Sequence, residues 1–376
     1  MNSTPLAGST RALISLGAFR HNLGSVRSYA GEETRVMAVV KANAYGHGMI
    51  EIAREAVRAG VDALAVARVT EALNIRRSGI GHPILVFEIP PEPLVEAALA
   101  EGIELSVSTA GGAASISRRA SQSGLKALVH VKVDTGMGRL GFPDEGAPSE
   151  IASLLRLPRI ELAGLYSHFA TSEDADTSFA LGQVERFNRV IDRLRALGIE
   201  PPLRHMANSG AVITLPGARY DMVRPGIMLY GYPPSRGMPE RFPVVPVMSL
   251  LSSISMLRSV GKGTSISYGR RFIAPAPTTI ATVPAGYADG YSRLLTNRAS
   301  AIIRGSVYPV VGTICMDHIM IDVGPDPQCQ AGDDVTLIGA DGNHAITAWD
   351  IAETLGTIPY EVTCLVSERV PRLFVE

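Results

Sequence analysis

Between residues 35 and 232, short apolar segments alternate with helix-like segments eight times, and few architectures accept that rhythm. The apolar segments are 36–41, 63–67, 84–87, 105–107, 127–134, 162–168, 203–206 and 222–224. Such near-continuous apolar runs suit parallel strands buried on both faces. Helical stretches fall between them, for example at 50–59, 69–77, 94–100 and 179–197. Eight strand–helix units predict an α/β fold with an N-terminal (β/α)8 barrel. A doubly wound open sheet is the competing architecture. Its Gly-x-Gly-x-x-Gly fingerprint does not follow the first strand here.

The texture changes at Pro233-Pro234-Ser235-Arg236-Gly237, a linker signal. Beyond it, β-branched segments at 247–260, 278–283, 299–311, 319–323 and 334–338 predict a C-terminal mostly β domain. One helical stretch, 348–355, interrupts it. The opening segment 12–16 also reads as a strand. The expected division is therefore 1–16 as an N-terminal strand joining the C-terminal domain, 17–237 as the barrel, and 238–376 as the mostly β domain.

A formal net charge of −1 over 376 residues offers no basic face for nucleic acid. Cys315, Cys329 and Cys364 are odd in number and lack CxxC spacing, so neither a disulfide framework nor a metal site is expected. Residues 1–10 lack the basic and apolar regions of a signal peptide. No apolar run approaches the roughly 20 residues of a membrane span. A cytoplasmic protein is the expectation.

Lys41 ends the first apolar strand. An unpaired ammonium there is costly to desolvate, and the strand end is where barrels place their chemistry. A lysine so placed can attack a carbonyl, or it can simply extend into water. Other strand ends carry Lys132, Asp134 and Arg139 (strand five), His168 (six), Asn208-Ser209-Gly210 (seven) and Arg224-Pro225-Gly226-Ile227 (eight). The last two sets each open a short helix, whose free N–H groups suit a phosphate. A lysine facing a phosphate site fits pyridoxal 5'-phosphate. Arg224 follows strand eight. Set against the pyridine nitrogen, a guanidinium has no acceptor and stays charged, which would favour proton exchange at Cα over decarboxylation or transamination. A surface ion pair is its plainer fate.

These segments together resemble the alanine racemases, the fold-type III pyridoxal phosphate enzymes. The resemblance rests on Val-Val-Lys-Ala-Asn-Ala-Tyr-Gly-His-Gly at 39–48, Val-Asp-Thr-Gly-Met-Gly-Arg-Leu-Gly-Phe at 133–142 and Ser-His-Phe-Ala at 167–170. It continues at Ala-Asn-Ser-Gly (207–210), Val-Arg-Pro-Gly-Ile (223–227), Ser-Tyr-Gly-Arg (267–270), Gly-Tyr-Ala-Asp-Gly-Tyr (286–291) and Cys-Met-Asp (315–317).

The resemblance implies a homodimer with shared active sites, feeding D-alanine to peptidoglycan synthesis. It makes Lys41 the cofactor anchor and the base on the D face, and Tyr268 of the partner subunit the base on the L face. Arg224 would meet the pyridine nitrogen, with His168 nearby. Tyr45, Ser209, Gly226, Ile227 and Tyr360 would hold the phosphate, with Asn208 beside them. Arg139 would contact the cofactor's phenolic oxygen and the substrate carboxylate, and the Met316 backbone would complete that carboxylate site. Tyr287, Asp317 and Tyr360 would line the entrance, and Lys132 matches a position carbamylated in many members. Two positions depart: Thr313 stands where an arginine is common, and Pro359 where a polar residue is. A racemase of serine or of a broader amino-acid range is the alternative. A fold-type III decarboxylase and a non-catalytic pyridoxal phosphate carrier are more distant ones.

Overall fold

The computed structural model describes residues 10–237 and 242–376. Residues 1–9 of the expected N-terminal segment, and 238–241 at the expected start of the second domain, lie outside the described residues.

Eight parallel strands form a closed ring: Arg35–Val39, Ala63–Val66, Ile84–Val86, Glu104–Val107, Ala127–Asp134, Ile160–Tyr166, Arg204–His205 and Met222–Val223. Each pairs with the next, and the eighth returns to the first with Met222 opposite Arg35 and Val223 opposite Val36. The predicted barrel is what forms, and closure leaves it no open edge. Its strands are largely buried on both faces; all four residues of Ala63–Val66 are buried.

The helices cover the ring by one stripe each. Met49–Arg58 buries Met49, Ile52, Ala53 and Ala56, the spacing of a single helix face. Ala110–Ser123 starts where the Thr109 side chain accepts the Gly112 N–H, and stops at Gly124, whose φ of 71° suits glycine. Expected strand ends overshoot by a residue or two. The strands end at Val39 and Tyr166, although the next residue of each still bonds across: Val40 N–H donates to Ala65 O (2.8 Å) and Ser167 N–H to His205 O (3.3 Å).

Two compact units divide the chain. Among the described residues, the barrel unit comprises 20–44, 49–237 and 242–244; the other comprises 10–19, 45–48 and 245–376. In the second unit, Arg11–Ser15 pairs antiparallel with Met248–Ser253 and parallel with Arg372–Val375. Met256–Val260, Thr278–Val283 and Ile319–Gly324 make a three-stranded antiparallel sheet.

Two segments expected as single strands are each two strands. The segment 299–311 folds as Ser300–Ile303 and Ser306–Pro309, joined by Arg304 and Gly305 with φ of 50° and 73°. That two-residue, positive-φ loop is the hairpin turn that matches strand twist. The helix Ala348–Leu355 forms as predicted, and a second one, Pro359–Leu365, follows it. Pro359 occupies its first turn, where the missing N–H has no intrahelical role. Among the described residues, no helix is long and apolar enough to cross a membrane.

Candidate active site

Past Val40 and Lys41 the backbone turns left-handed: φ is 53°, 54°, 55° and 53° at Ala42, Asn43, Ala44 and Tyr45. For L-residues this costs about 1–2 kcal/mol each, because Cβ crowds the following carbonyl. The sequence predicts a Gly-rich turn here, yet the unusual dihedrals begin before the first glycine. Hydrogen bonds hold the turn in place. Ala44 N–H donates to Val40 O (2.9 Å), and Ala42 N–H to Glu71 Oε1 (2.7 Å). Asn43 Oδ1 accepts from Met49 N–H at 2.8 Å. The other oxygen of Glu71 takes the Ala67 and Arg68 N–H groups at 2.9 and 3.0 Å. One carboxylate thus ties the exits of strands one and two, and fixes the backbone that carries Lys41.

Lys41, Lys132, Arg139, His168 and Arg224 gather at the barrel mouth, close enough to act on one another electrostatically. Lys132 is only 5% exposed. Burial, then the Arg139 and Arg224 cations, brings its amine down to about 8. Its Nζ lies 5.6 Å from the Tyr166 ring centre. His168 is held well below the ordinary imidazole value by burial and then by Arg224, so it is neutral at pH 7. Asp134 shapes the loop that presents exposed Arg139. One of its oxygens accepts the N–H groups of Gly136, Met137 and Gly138 at 2.9, 2.9 and 3.1 Å. Burial alone would raise the Asp134 carboxyl, but those three donors and the Lys132 cation together more than offset it.

Arg224 is buried, and its guanidinium has no carboxylate partner among the described residues. Nη2 donates to Ser167 O (2.7 Å) and Met206 O (3.1 Å) and lies 3.3 Å from His168 Nδ1. Nη1 lies 2.9 Å from His205 Nδ1. Nε has no acceptor among the described residues. Burial lowers the group to about 10, which leaves it cationic at neutral pH. A buried cation with a spare donor and no counter-charge is costly, and a ligand acceptor would offset that cost.

The two expected short helices are present. Ser209–Thr214 begins at Asn208, whose side chain accepts the Ala211 N–H at 3.0 Å. A 3-10 turn, Ile227–Tyr230, begins at Gly226, whose N–H donates to Ser209 Oγ at 2.9 Å. That bond joins the two starts. Ser209, Gly210 and Ile227 are buried in first turns, where N–H groups lack intrahelical acceptors. A Cβ on Gly210 would lie 2.6 Å from Ser172 Oγ, so a larger residue there would displace the Ser172 side chain.

Tyr45, Tyr268, Tyr287, Met316, Asp317 and Tyr360 belong to the second unit. The rings of Tyr45 and Tyr360 are 6.0 Å apart, and burial pushes the Tyr45 phenol far up. Tyr268 is 71% exposed, between the strands Ser265–Ile266 and Phe272–Ile273. Its loop is strained, with φ of 65° at Ser267 and 51° at Arg270. Thr313 secures it: Thr313 Oγ1 donates to Tyr268 O (2.6 Å), and Ser267 Oγ donates to Thr313 O (2.5 Å). The residue standing where an arginine is common therefore clamps the Tyr268 loop. Met316 is also exposed, and its carbonyl accepts the Ala288 N–H at 3.1 Å. Asp317 pairs with Arg369 at 2.9 Å, and Arg369 pairs with Asp289 at the same distance.

Glu71, Glu104, His130, Tyr166 and His205 escaped the sequence as site residues. A signal existed in strand five, where His130, Lys132 and Asp134 alternate with Val129, Val131 and Val133. Period-two polar residues in a buried strand share one side of it.

The family model "Alanine racemase, N-terminal domain" matches residues 14–234, and "Alanine racemase, C-terminal domain" matches 247–374. Alanine racemase 2 of Caldanaerobacter subterraneus subsp. tengcongensis is 43% identical, over 97% of this chain and 95% of its own length. The solved alanine racemase of Clostridium difficile 630 superposes with a TM-score of 0.94 at 38% identity, covering 99% of this chain and 97% of that one. A histidine racemase from Leuconostoc mesenteroides subsp. sake superposes at 0.90 with 28% identity, covering 99% of each chain. The chain belongs to the alanine racemase family.

Proposed function

We propose that this chain interconverts L- and D-alanine with pyridoxal 5'-phosphate, as a homodimer, by proton transfer on opposite faces of the substrate Cα. The single observation that carries this reading is buried, cationic Arg224, which among the described residues has a spare Nε donor and no carboxylate partner, at the same barrel mouth as Lys41. The residues fit the cofactor: Arg224 Nε–H for its ring nitrogen, the first-turn N–H groups at Ser209, Gly226 and Ile227 for its phosphate, and Lys41 for its aldehyde. Tyr45 and Tyr360 would add phenolic donors to the phosphate, and Asn208 would hold the helix start that binds it.

When bound, the cofactor acidifies the substrate Cα–H by withdrawing electrons through the substrate amine. Lys41 Nζ would then carry the proton on the D face, and Tyr268 Oη of the partner subunit the proton on the L face. Arg224 donates without being able to accept, and so limits electron withdrawal to what proton exchange needs. Arg139 and the Met316 backbone would hold the substrate carboxylate, while Tyr287, Asp317 and Tyr360 would shape the entrance. High exposure of Tyr268 and Met316, at 71% and 51%, supports a partner that covers them. D-alanine made this way would serve peptidoglycan synthesis in the cytoplasm.

With the cofactor added, a panel of L-amino acids followed by loss of optical activity should show alanine turning over fastest. Inert alanine would overturn the reading. A larger residue preferred at least tenfold would support the alternative of another amino-acid racemase, for which the histidine racemase neighbour is the precedent. A decarboxylase would place an acid at the ring nitrogen, and a non-catalytic carrier would lack the second unit.

Lys132 is proposed to carry a carbamate that orients Arg139. Its nitrogen would attack CO2 and release one proton, a step open only to the neutral amine. An amine titrating at about 8 reaches that form as pH rises through 8 rather than through the ordinary value of 10.5. With 13C-bicarbonate, 13C NMR should therefore show a carbamate carbon that grows between pH 7 and 9 and is absent in Lys132→Ala. A spectrum lacking that signal would remove the modification.

A further inference from the structure

Four ionisable side chains form an unbroken line inside the barrel. Glu104 Oε2 lies 2.8 Å from His130 Nε2, His130 Nδ1 lies 2.8 Å from His205 Nε2, and His205 Nδ1 lies 2.9 Å from Arg224 Nη1. The line begins on strand four, at its first residue, and ends just past strand eight. Both histidines are fully buried, whereas the Glu104 side chain keeps 19% of its surface exposed.

One arrangement of protons satisfies every bond. A guanidinium only donates, so His205 Nδ1 must hold the lone pair. The His205 proton is then on Nε2 and is given to His130 Nδ1. His130 in turn carries its proton on Nε2 and gives it to the Glu104 carboxylate. A second proton on either ring would set two N–H groups face to face. The surroundings agree: burial, then Arg224 and His130, holds His205 well below the ordinary imidazole value. Tyr166 stacks on His205 with ring centres 5.0 Å apart and planes within 4°. A Cβ on Gly164 would come within 2.4 Å of His130 Nδ1, so that glycine makes room for the ring.

We propose that Glu104 is a positioning residue for Arg224. By accepting at one end, it polarises the His130–His205 line in a single direction, so that His205 presents a lone pair to Nη1 and Nε is left for the ligand. This rests on the assignment of Arg224 to the cofactor ring nitrogen, and extends it to a group on the far side of two imidazoles.

The test is 15N NMR of imidazole-labelled protein, in the cofactor-free and the cofactor-loaded chain. Eight histidines give few enough signals to assign with His130→Gln and His205→Gln. Both rings are expected as neutral Nε2–H tautomers before any cofactor is added. Glu104→Leu removes the acceptor. It should mix the tautomers of both rings, shift the absorbance of the bound cofactor, and lower kcat about tenfold with KM within about twofold. Glu104→Gln keeps an acceptor oxygen and should restore the tautomers and most of kcat.

A proton on His205 Nδ1 in the wild-type chain, or a doubly protonated ring, overturns the proposal without any variant. So does a Glu104→Leu chain with unchanged tautomers. Failure of the Arg224 assignment reads differently: the tautomers stay as expected, while Arg224→Lys leaves the cofactor absorbance unchanged.

Discussion

Lys41→Ala should yield a folded chain that neither acquires the visible absorbance of bound pyridoxal phosphate nor racemises alanine. A proton-transfer group of this kind contributes about 10²–10⁴-fold, and loss of the covalent anchor adds to that, so activity should fall by at least about 10⁴-fold. The fold should survive. Lys41 is partly exposed, and the turn after it is held by Glu71, Asn43 and Val40 through groups that the substitution leaves alone. Far-UV circular dichroism checks that, and an absorbance spectrum after dialysis against the cofactor checks the rest. A variant that still shows the absorbance would take the anchoring role away from Lys41.

Tyr268→Phe carries the second large effect, and its signature is an asymmetry. The equilibrium between enantiomers is fixed, so kcat/KM must fall equally in both directions, by about 10²–10⁴-fold. Hydrogen exchange at Cα need not fall equally. In D2O, D-alanine should still trade its Cα hydrogen through Lys41, whereas L-alanine should trade almost none, with KM little changed. Tyr268 is 71% exposed in the single chain, and Thr313 Oγ1 holds the loop by donating to the Tyr268 carbonyl, so the substitution leaves the local backbone in place. Equal exchange from both enantiomers would sink the two-face assignment.

The barrel was legible because parallel strands buried on both faces must be apolar throughout, and helices must intervene between them. Residues at strand ends were legible because a charge there breaks that pattern, as Lys41 and Arg224 do. What stayed hidden depends on geometry that no window of sequence encodes. Glu71 stands 30 positions from Lys41 and looks like an ordinary helix acid until its carboxylate meets two strand exits at once. His205 sits in a strand of two paired residues, too short to show a period, and His130 reaches it across 75 positions. The hairpin at Arg304-Gly305 was readable in principle, but the apolar run through 299–311 masked it. Thr313 looked like a lost arginine, and only its bond to the Tyr268 carbonyl shows what the smaller side chain does.

The left-handed turn at Ala42–Tyr45 has a consequence for synthesis as much as for folding. Those four residues trace the path that a mirror-image polypeptide would take by preference. A D-alanine built into position 42 or 44 would rest there without the crowding that an L-residue endures, whereas anywhere in the flanking helix it would do harm. Glycine, which has no handedness, would also fit, but would surrender the stiffness that keeps the turn from swinging. The amine that opens this stretch is thus aimed by backbone of the opposite hand, and natural L-alanines hold it there under tension.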